Sequence, residues 1–497
     1  MLGQLTKTVF QRSQDFISSL PKEEKKELGQ FTTSPETARY MASMFSVPTG
    51  DSISVLDPGA GSGILSAAVI DRLLEQHSIR HIHLTCCEND PKILPLLVSN
   101  IKQVKEEIVK DVNFTYEIRD DNYILSNSDS FNGKTECSRT YDIIISNPPY
   151  KKISKGNPEA VCMKTVCFGA PNKYFIFMAL SIHQLKDDGQ LVYIIPRSWT
   201  SGKYFKAFRE YLFSNCKIEQ MHIFVSRDKV FESESVLQET MIVKATKGAS
   251  KEPIMITSSE NNHDYDKLTT LTLPYDTVVQ GKEQYVFLIT SESESQVIQK
   301  IGTFSQVLPD IGIRMKTGIV VDFRSKEYIV DGPGEGHIPY FQASHINKGS
   351  ITFPKTDSEE YLLDRNESLT QSNQDYLFVK RFTTKEEKRR LQTAIYLSKQ
   401  FPEYSRIATD NKINFITGVK DSLSTEEVYG LYVIFNSTLY DQYYRILNGS
   451  TQVNSYEVNS MPVPSREVIG KMGEKLMCLN DLTTESCDNI LEAVING

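Results

Sequence analysis

Residues 141–150 read Tyr141-Asp-Ile-Ile-Ile-Ser-Asn-Pro-Pro-Tyr150, and the rest of the chain is arranged around this stretch. The run of β-branched residues from Ile143 to Ile145 predicts a buried strand. The strand must end at the two prolines, because proline cannot donate a hydrogen bond to a neighbouring strand or continue a helix. Asn147 and Tyr150 therefore flank a stiff turn at the carboxyl end of a strand. Open α/β sheets bind their ligands at that edge.

The side chains of this turn suit methylation of an amino group attached to an aromatic ring. Such a nitrogen is a poor nucleophile because its lone pair is delocalised into the ring. The side-chain oxygen of Asn147 and the carbonyl of Pro148 can each accept one of its hydrogens, which frees the lone pair. The ring of Tyr150, rather than its hydroxyl, is expected to hold a base extruded from a duplex. The alternative is a β-turn with a buried tyrosine.

Composition sets wide bounds on the rest of the chain. Its 497 residues predict roughly three domains, and 39% hydrophobic with 24% charged residues is typical of a globular protein. We expect no membrane partner, because no apolar run approaches the ~20 residues of a membrane span and no signal-peptide core is seen. The eight cysteines form no CxxC pair, which favours reduced thiols and a cytoplasmic location. The net charge of −8 argues only weakly against nucleic acid, because a basic face can coexist with an acidic total.

The chain divides into an α/β half and a different C-terminal half. We predict an N-terminal helical segment over residues 1–28 and a catalytic domain of alternating strands and helices over residues 29–247. The polar residues 248–300 are interpreted as sheet edge and connection. Residues 301–464 are richer in Gly and Tyr and are predicted to form a second domain. Residues 465–497 are predicted to form a helical tail.

A second ligand-binding pattern lies upstream of the Asn147 turn. Asp57-Pro-Gly-Ala-Gly-Ser-Gly63 follows a predicted strand and precedes a predicted helix. The glycines let the backbone turn tightly and leave room for a ligand packed against it. This is not the GxGxxG dinucleotide pattern. Because an acidic residue precedes the glycines, the loop suits a cationic or amino-acid ligand better than a pyrophosphate.

S-adenosylmethionine is such a ligand. We expect Asp57 to meet its charged methionine end through water, and Glu88, at the end of the next predicted strand, to meet its ribose. A carboxylate beside the third strand is expected to accept from the adenine amino group; Asp121 is preferred and Asp120 is the alternative. Asp57, Glu88 and Asn147 on successive strands form a far more specific set than any of them alone. No metal is expected, since no carboxylate or cysteine cluster accompanies the few histidines.

Together these motifs resemble the N6-adenine DNA methyltransferases of the gamma motif order, such as the TaqI enzyme, over nearly the whole chain. The matching segments are Gly29-Gln-Phe-Thr-Thr-Ser-Pro35, Asp57 to Gly63, Glu88, Asp121 and Asn147-Pro-Pro-Tyr150. The resemblance implies a Rossmann-like S-adenosylmethionine-dependent methyltransferase sheet with a C-terminal α+β DNA target-recognition domain. It also implies cofactor contacts for Thr33, Gly59 and Gly61. Phe231 matches the aromatic that this family places on the flipped adenine's other face; the alternative is a core phenylalanine.

The C-terminal half is similar to the target-recognition region of BsuBI/PstI-type restriction–modification methyltransferases. The segments that carry this likeness are Lys316 to Arg324, Val379 to Arg390, Phe435 to Leu439 and Asn448 to Asn454. Residues 380–390 hold six basic residues and two acidic ones, a net charge of +4. A charge run is more often a solvated face, but here it suits contacts with phosphates and guanine edges. We predict DNA contacts for Lys380, Arg381, Lys388, Arg389 and Arg390.

The hypothesis is therefore a site-specific DNA adenine-N6 methyltransferase of a type II restriction–modification system. The likeness implies the duplex site CTGCAG, and we expect a cognate restriction endonuclease as functional partner and a monomeric protein. Methyltransferases of RNA bases or protein glutamine amides also carry Asn-Pro-Pro-Tyr, but generally lack so long a C-terminal region. A DNA-binding regulator with a vestigial site is the other alternative, and the intact Asp57, Glu88 and Asn147 argue against it.

Overall fold

The structure is a computed structural model that describes residues 3–21, 33–46, 49–108, 111–169, 171–225, 240–263, 265–355, 358–384, 387–448 and 451–496. It divides into two compact units, Met1–Thr290 and Ser291–Gly497. The division falls within the segment 248–300 that we interpreted as a connection. Phe231, the predicted base-stacking aromatic, and Lys385 of the basic run lie outside the described residues.

The first unit alternates helices with strands. Its helices are α1 (Gln4–Ser19), α2 (Pro35–Ser43), α3 (Ile64–Leu74), α4 (Leu94–Glu107), α5 (Tyr123–Phe131), α6 (Pro158–Cys162), α7 (Lys173–His183), α8 (Lys206–Asn215) and α9 (Tyr275–Val278). Its strands are β1 (Ser52–Pro58), β2 (His81–Cys87), β3 (Asn113–Arg119), β4 (Tyr141–Ser146), β5 (Leu185–Pro196), β6 (Cys216–Phe224), β7 (Thr240–Lys247), β8 (Ile254–Ser259), β9 (Thr269–Leu273), β10 (Val279–Gln280) and β11 (Tyr285–Val286). The α/β class predicted for this half is confirmed.

Within the described residues of this unit, one sheet has the strand order β3-β2-β1-β4-β5-β7-β6-β8-β9. Strands β1 to β5 run parallel, and β7 lies antiparallel between β5 and β6. The order reverses beside β1, which pairs with β2 on one side and with β4 on the other. The carboxyl ends of β1 and β4 therefore meet at the topological switch point, where open α/β sheets hold their ligands.

The strands of this sheet have apolar sequences because their side chains are buried. Ile143, Ile144 and Ile145 are each at most 1% exposed, because helices cover both faces of the sheet. Helix α2 has a capped start: the Ser34 hydroxyl accepts from the backbone N–H of Thr37 at 3.2 Å, with proline at the first helical position. Strands β8 and β9 extend the sheet beyond residue 247.

The second unit mixes small sheets with helices. Its helices are α10 (Glu292–Ile301), α11 (Thr425–Asn436), α12 (Thr438–Leu447), α13 (Ser455–Val458), α14 (Arg466–Leu479) and α15 (Thr484–Ile495). Its strands are β12 (Gln306–Val307), β13 (Ile313–Thr317), β14 (Ile329–Val330), β15 (His337–Phe341), β16 (Ile346–Asn347), β17 (Ser350–Ile351), β18 (Tyr361–Leu363), β19 (Gln371–Ser372), β20 (Tyr376–Lys380), β21 (Thr393–Tyr396), β22 (Arg406–Thr409), β23 (Ile413–Gly418) and β24 (Pro462–Val463). The larger sheets have the orders β13-β23-β20-β21 and β14-β18-β15-β22-β19.

Aromatic side chains fill the interior of the second unit. Phe341, Phe378 and Tyr396 are fully buried and contact one another with ring centroids 5.0 to 5.7 Å apart. Large rings bury much apolar area in a small unit, which explains why this half is rich in tyrosine. Across the described parts of both units, every helix is too short or too polar to cross a membrane. All eight cysteines carry free thiols.

Candidate active site

The turn that follows β1 lies against the turn that follows β4. A Cβ atom placed on Gly59 would lie 3.7 Å from Cδ of Pro149. The Ser146 hydroxyl donates to the carbonyl of Pro58 at 2.5 Å, and the N–H of Gly59 donates to the carbonyl of Cys87 at 2.8 Å. The ends of three neighbouring strands are therefore joined by direct hydrogen bonds.

The glycine turn leaves its backbone bare toward a ligand. Gly59, Gly61 and Gly63 have φ angles of +76°, +55° and +84°, a region that other residues rarely adopt. A Cβ on Gly63 would lie 3.0 Å from Cδ1 of Leu97, so that position is also fixed by packing. Among the residues that the structure describes, no atom lies within 4 Å of such a Cβ on Gly61. The turn is thus supported on one side and open on the other.

Asp57 is fully buried at the end of β1. The Ser66 hydroxyl donates to its Oδ2 at 2.7 Å, whereas Oδ1 has no hydrogen-bond partner among the described residues. Burial raises the pKa of Asp57 to about 7, because removal from water disfavours the charged form. A buried carboxylate oxygen without a partner is rare in folded proteins. A cationic ligand, or a water molecule bound to one, would supply a partner for this Oδ1 atom.

Glu88 holds the glycine turn in place. Its Oε2 accepts from the N–H of Gly61 at 2.9 Å, and its Oε1 accepts from the N–H of Asp90 at 2.9 Å. Burial raises the pKa of Glu88, although these two hydrogen bonds act in the opposite direction. Glu88 therefore links the end of β2 directly to the turn after β1.

Asp121 lies just past the end of β3. Its Oδ2 accepts from Nη2 of Arg119 at 2.8 Å. Burial by itself raises the pKa of Asp121, but hydrogen bonds from Ser126 and Arg119 hold it below its usual value. Asp120, the alternative, is exposed. Asp121 is thus an ionised carboxylate at the same sheet edge as Asp57 and Glu88.

The side chain of Asn147 is held at both ends of its amide. Nδ2 donates to Oγ1 of Thr33 at 3.1 Å, and Oδ1 accepts from the Tyr150 hydroxyl at 2.7 Å. The same hydroxyl lies 3.1 Å from the carbonyl oxygen of Ile194. An amide oxygen accepts up to two hydrogen bonds, so the bond from Tyr150 is compatible with a second one from a substrate amino group.

The ring of Tyr150 is 9% exposed and packs edge-on against Tyr174, with centroids 6.3 Å apart. The hydrogen bond from its hydroxyl to Asn147 was not predicted, because only the ring of Tyr150 was expected from the sequence to contact the substrate base. The two residues act as a pair in which the tyrosine orients the amide.

Comparison with known proteins identifies the family. The chain is 34% identical over 458 residues to the type II methyltransferase M.BsuBI of Bacillus subtilis, and the match covers 90% of each protein. The chain belongs to the type II methyltransferases. It is also 32% identical over 464 residues to the type II methyltransferase M.PstI of Providencia stuartii, over 90% of this chain and 89% of that one. Residues 71–231 match the Eco57I restriction-modification methylase family.

The fold of this type II methyltransferase is also found among solved structures. One is the Type IIL restriction-modification enzyme MmeI, solved in complex with DNA. It has a TM-score of 0.52 and 10% sequence identity, and the match covers 89% of this chain and 70% of that one. The expected Rossmann-like methyltransferase fold and the resemblance to type II restriction–modification methyltransferases are confirmed.

Most of the residues predicted for the site lie at one sheet edge. The hydrogen bonds and close contacts above join Thr33, Asp57, Gly59, Gly61, Glu88, Asn147 and Tyr150 into one region, with Pro148 buried between the last two. Their roles in the methyltransferase stay predictions. Within the described residues, no group of three or more His, Cys, Asp or Glu side chains is arranged to hold a metal ion.

The basic run of the second unit is only partly a surface feature. Arg390 is fully buried: its Nε donates to Oγ1 of Thr383 at 3.2 Å, and its guanidinium lies 5.6 Å from the ring centre of Tyr444. The prediction that Arg390 contacts DNA is therefore corrected, because a guanidinium enclosed by protein cannot reach a phosphate. The residue secures the loop that carries the other cations.

Arg389 and Arg381 are half-buried and also bond to the protein. Arg389 donates to the carbonyl of Ser437 at 2.9 Å, and Arg381 donates to the carbonyl of Asn411 at 3.0 Å. Lys388 is exposed. Together with Lys380 and Arg389, it borders a cleft of about 850 Å³. The other residues that line this cleft are Ile346 to Gly349, Glu387, Leu391 to Thr393, Tyr432, Asn436 and Asp481 to Thr484.

Three contacts at this sheet edge were not predicted from the sequence. Ser66 is the hydrogen-bond donor to Asp57, Ser146 bonds the end of β1, and the carbonyl oxygen of Ile194 lies 3.1 Å from the Tyr150 hydroxyl. The serines are ordinary strand and helix residues by type, and a backbone carbonyl leaves no mark in a sequence. The position of Ser146 immediately before Asn147 was the one available signal.

Proposed function

We propose that this type II methyltransferase transfers a methyl group from S-adenosylmethionine to the N6 amino group of an adenine in duplex DNA. The observation that carries this proposal is the amide of Asn147, held by Thr33 and Tyr150 at the end of β4. An oriented amide oxygen suits a substrate N–H, and it lies at the sheet edge where the glycine turn and the carboxylates converge.

The residues at the ends of β1 to β3 fit the proposed cofactor. The open face beside Gly61 gives space, and the Asp57 carboxylate has an oxygen without a partner among the described residues, which suits the positive charge of the methionine end. Glu88 is proposed to meet the ribose and Asp121 the adenine amino group. When bound, S-adenosylmethionine supplies an activated methyl group.

The chain's own residues prepare the amino group for transfer. Oδ1 of Asn147 and the carbonyl of Pro148 each accept one N–H of the target amine, which draws the nitrogen toward tetrahedral geometry. These hydrogen bonds strengthen as the nitrogen becomes positive, so they lower the barrier more than they tighten binding. Tyr150 keeps the Asn147 amide oriented. A base reaches this turn only if it is extruded from the helix, and Phe231 is proposed to pack against it.

The second unit is proposed to recognise the DNA site. Its cleft is bordered by Lys348, Lys380, Lys388 and Arg389 against Glu387 and Asp481, an excess of positive charge that suits a phosphate backbone. MmeI, which shares the fold, was solved with DNA. Arg381 remains a proposed DNA contact outside this cleft. Arg390 is not proposed to contact DNA, because it is buried. A cognate restriction endonuclease is the proposed functional partner.

The test is to identify the methylated base. Purified protein is incubated with isotope-labelled S-adenosylmethionine and duplexes that carry CTGCAG, the site proposed from the likeness to M.BsuBI and M.PstI, or scrambled sites. The DNA is then digested to nucleosides for mass spectrometry. N6-methyladenine in the CTGCAG duplex alone is expected. Methylcytosine would refute the chemistry, and N6-methyladenine in another sequence would refute only the site. Label in RNA or in protein glutamine, and none in DNA, would favour the other substrate classes.

A further inference from the structure

The chain that leaves the candidate active site is strongly basic. Residues 149–173 contain five lysines and one acidic residue, Glu159, although the whole protein has a net charge of −8. Glu159 is buried and pairs with Lys173 at 2.7 Å. The other four lysines are Lys151, Lys152, Lys155 and Lys164. All four are exposed, and none forms an ion pair with a residue that the structure describes.

These lysines are fixed close to the Asn147 turn. Lys151 directly follows Tyr150, and its carbonyl accepts from the N–H of Lys173 at the start of α7 at 2.9 Å. The N–H of Ile153 donates to the carbonyl of Pro171 at 2.8 Å. The two ends of the segment are thus tied together, and Lys151 and Lys152 stay next to the catalytic turn.

Two exposed aromatic rings pack together, and one of them, Phe168, lies in the same basic segment. Phe168 is 55% exposed and Tyr204 is 53% exposed, with ring centroids 6.2 Å apart. A Cβ on Gly169 would lie 2.5 Å from the Tyr204 ring, so the ring lies directly over the backbone at Gly169. Phe168 follows Lys164 by four residues, so the ring pair is continuous in the chain with the basic segment.

Buried rings connect this pair to the catalytic turn. Phe205, next to Tyr204, stacks on Tyr174 with centroids 5.9 Å apart and planes 28° apart. Tyr174 in turn packs edge-on against Tyr150. The exposed pair therefore stands on the same aromatic core that supports the Asn147 turn.

We propose that this lysine–aromatic surface, made of Lys151, Lys152, Lys155, Lys164, Phe168 and Tyr204, binds the DNA backbone beside the target adenine. The inference rests on the proposed function. Lysines without counter-charges are suited to phosphates, and flat rings pack against sugars and bases. The catalytic unit thereby holds the substrate strand near the reacting base, in addition to the contacts proposed for the basic cleft of the second unit.

The salt dependence of DNA binding tests the lysines. In the full-length protein, Lys151, Lys152, Lys155 and Lys164 are all replaced by Gln, and anisotropy with a labelled CTGCAG duplex is measured at several salt concentrations. Each lost phosphate contact lowers the slope of log affinity against log salt by ~0.9, so a decrease of roughly two to four is expected.

The matched control replaces four exposed lysines on other elements of the same unit: Lys102, Lys251, Lys267 and Lys282. It makes the same charge change and should leave the slope near that of the wild type. Equal slopes for wild type and the first variant would overturn the proposal. So would an equal decrease in both variants, since that would reflect net charge alone. Melting temperatures check that both variants fold.

The aromatic part has its own test. Phe168→Ala should weaken duplex binding about tenfold at fixed salt and leave the salt slope unchanged, because a stacking contact releases no counterions. Unchanged affinity would remove the rings from the surface. Failure of the proposed function gives a different result: a wild-type protein that methylates no DNA. A wild type that methylates, alongside a lysine variant with the wild-type slope, refutes only this inference.

Discussion

The turn after β4 and the basic segment 380–390 are both short and rich in polar groups, yet their side chains are used differently. In the turn, the amide of Asn147 is oriented by Thr33 and Tyr150 while its region stays open beside the glycine turn. In the basic segment, Arg390 is buried and Arg389 is bound to backbone carbonyls. The hydrogen bonds of the turn orient a side chain at the proposed active site, whereas those of the segment mainly stabilise the protein.

This difference shows what makes a polar motif informative. Asn147 lies at a position fixed by two prolines and a buried strand, so little freedom is left for its side chain. A long arginine in a loop can turn inward or outward at similar cost, and the neighbours decide. Charge along a chain therefore predicts a surface less well than residue type at a strand end. The following predictions test the contrast.

The largest effect is expected for Asn147→Ala. Single-turnover methylation should fall by about 10²–10³-fold, by analogy with the loss of one oriented hydrogen-bonding group at a reacting atom. Affinities for cofactor and DNA should stay at wild-type values, because the contact matters most in the transition state. Asn132→Ala, an exposed asparagine of the same unit, serves as control. A normal rate in the Asn147 variant would refute the mechanism.

Arg390→Ala should destabilise the second unit by about 3 kcal/mol, because it removes a fully buried group and leaves its partners unpaired. Lys388→Ala, two residues away and exposed, should change stability by less than about 0.5 kcal/mol. Urea unfolding of the two variants measures the difference. Similar midpoints would mean that Arg390 is not part of the structural core and would restore it as a candidate for DNA contact.

The raised pKa of Asp57 predicts a pH-dependent stability in cofactor-free protein. The pKa rises from the ordinary 3.8 to about 7 on folding, so the folded state holds the proton more tightly. The stabilisation is complete below the unfolded pKa and is lost as pH rises through the folded one. Between pH 5 and 8 the wild type should lose about 2–3 kcal/mol relative to Asp57→Asn. Parallel stability curves for the two proteins would show that Asp57 does not titrate in this range.

The smallest effect is expected for Tyr150→Phe. Loss of the hydroxyl removes one hydrogen bond to Asn147, worth about 1 kcal/mol, so methylation should slow by about fivefold while DNA binding is kept. Single-turnover rates provide the measurement, with Tyr116→Phe as a control that keeps a half-buried ring of β3 and removes its hydroxyl. A wild-type rate would mean that Thr33 alone orients the amide.

Much of the first unit could be predicted because its signals are local. A buried parallel strand needs a continuous apolar run, and a tight turn with positive φ needs glycine. The strand at Ile143 to Ile145 and the turn at Gly59 to Gly63 could therefore be predicted from the sequence. Parallel strands bring their carboxyl ends to one edge of a sheet, so the residues that end β1, β2 and β4 were expected at the same edge, although the strand order itself was not predicted. Asp57, Glu88 and Asn147 were therefore placed correctly relative to one another.

Sequence by itself thus determined the strands, the turns and the residue types that meet at the sheet edge. Only the tertiary structure decided the bonds between them: Thr33 and Tyr150 on Asn147, Ser66 on Asp57, and the burial of Arg390. The physical reason is that backbone conformation depends on neighbours in sequence, whereas the direction and solvent exposure of a side chain depend on atoms brought from distant parts of the chain.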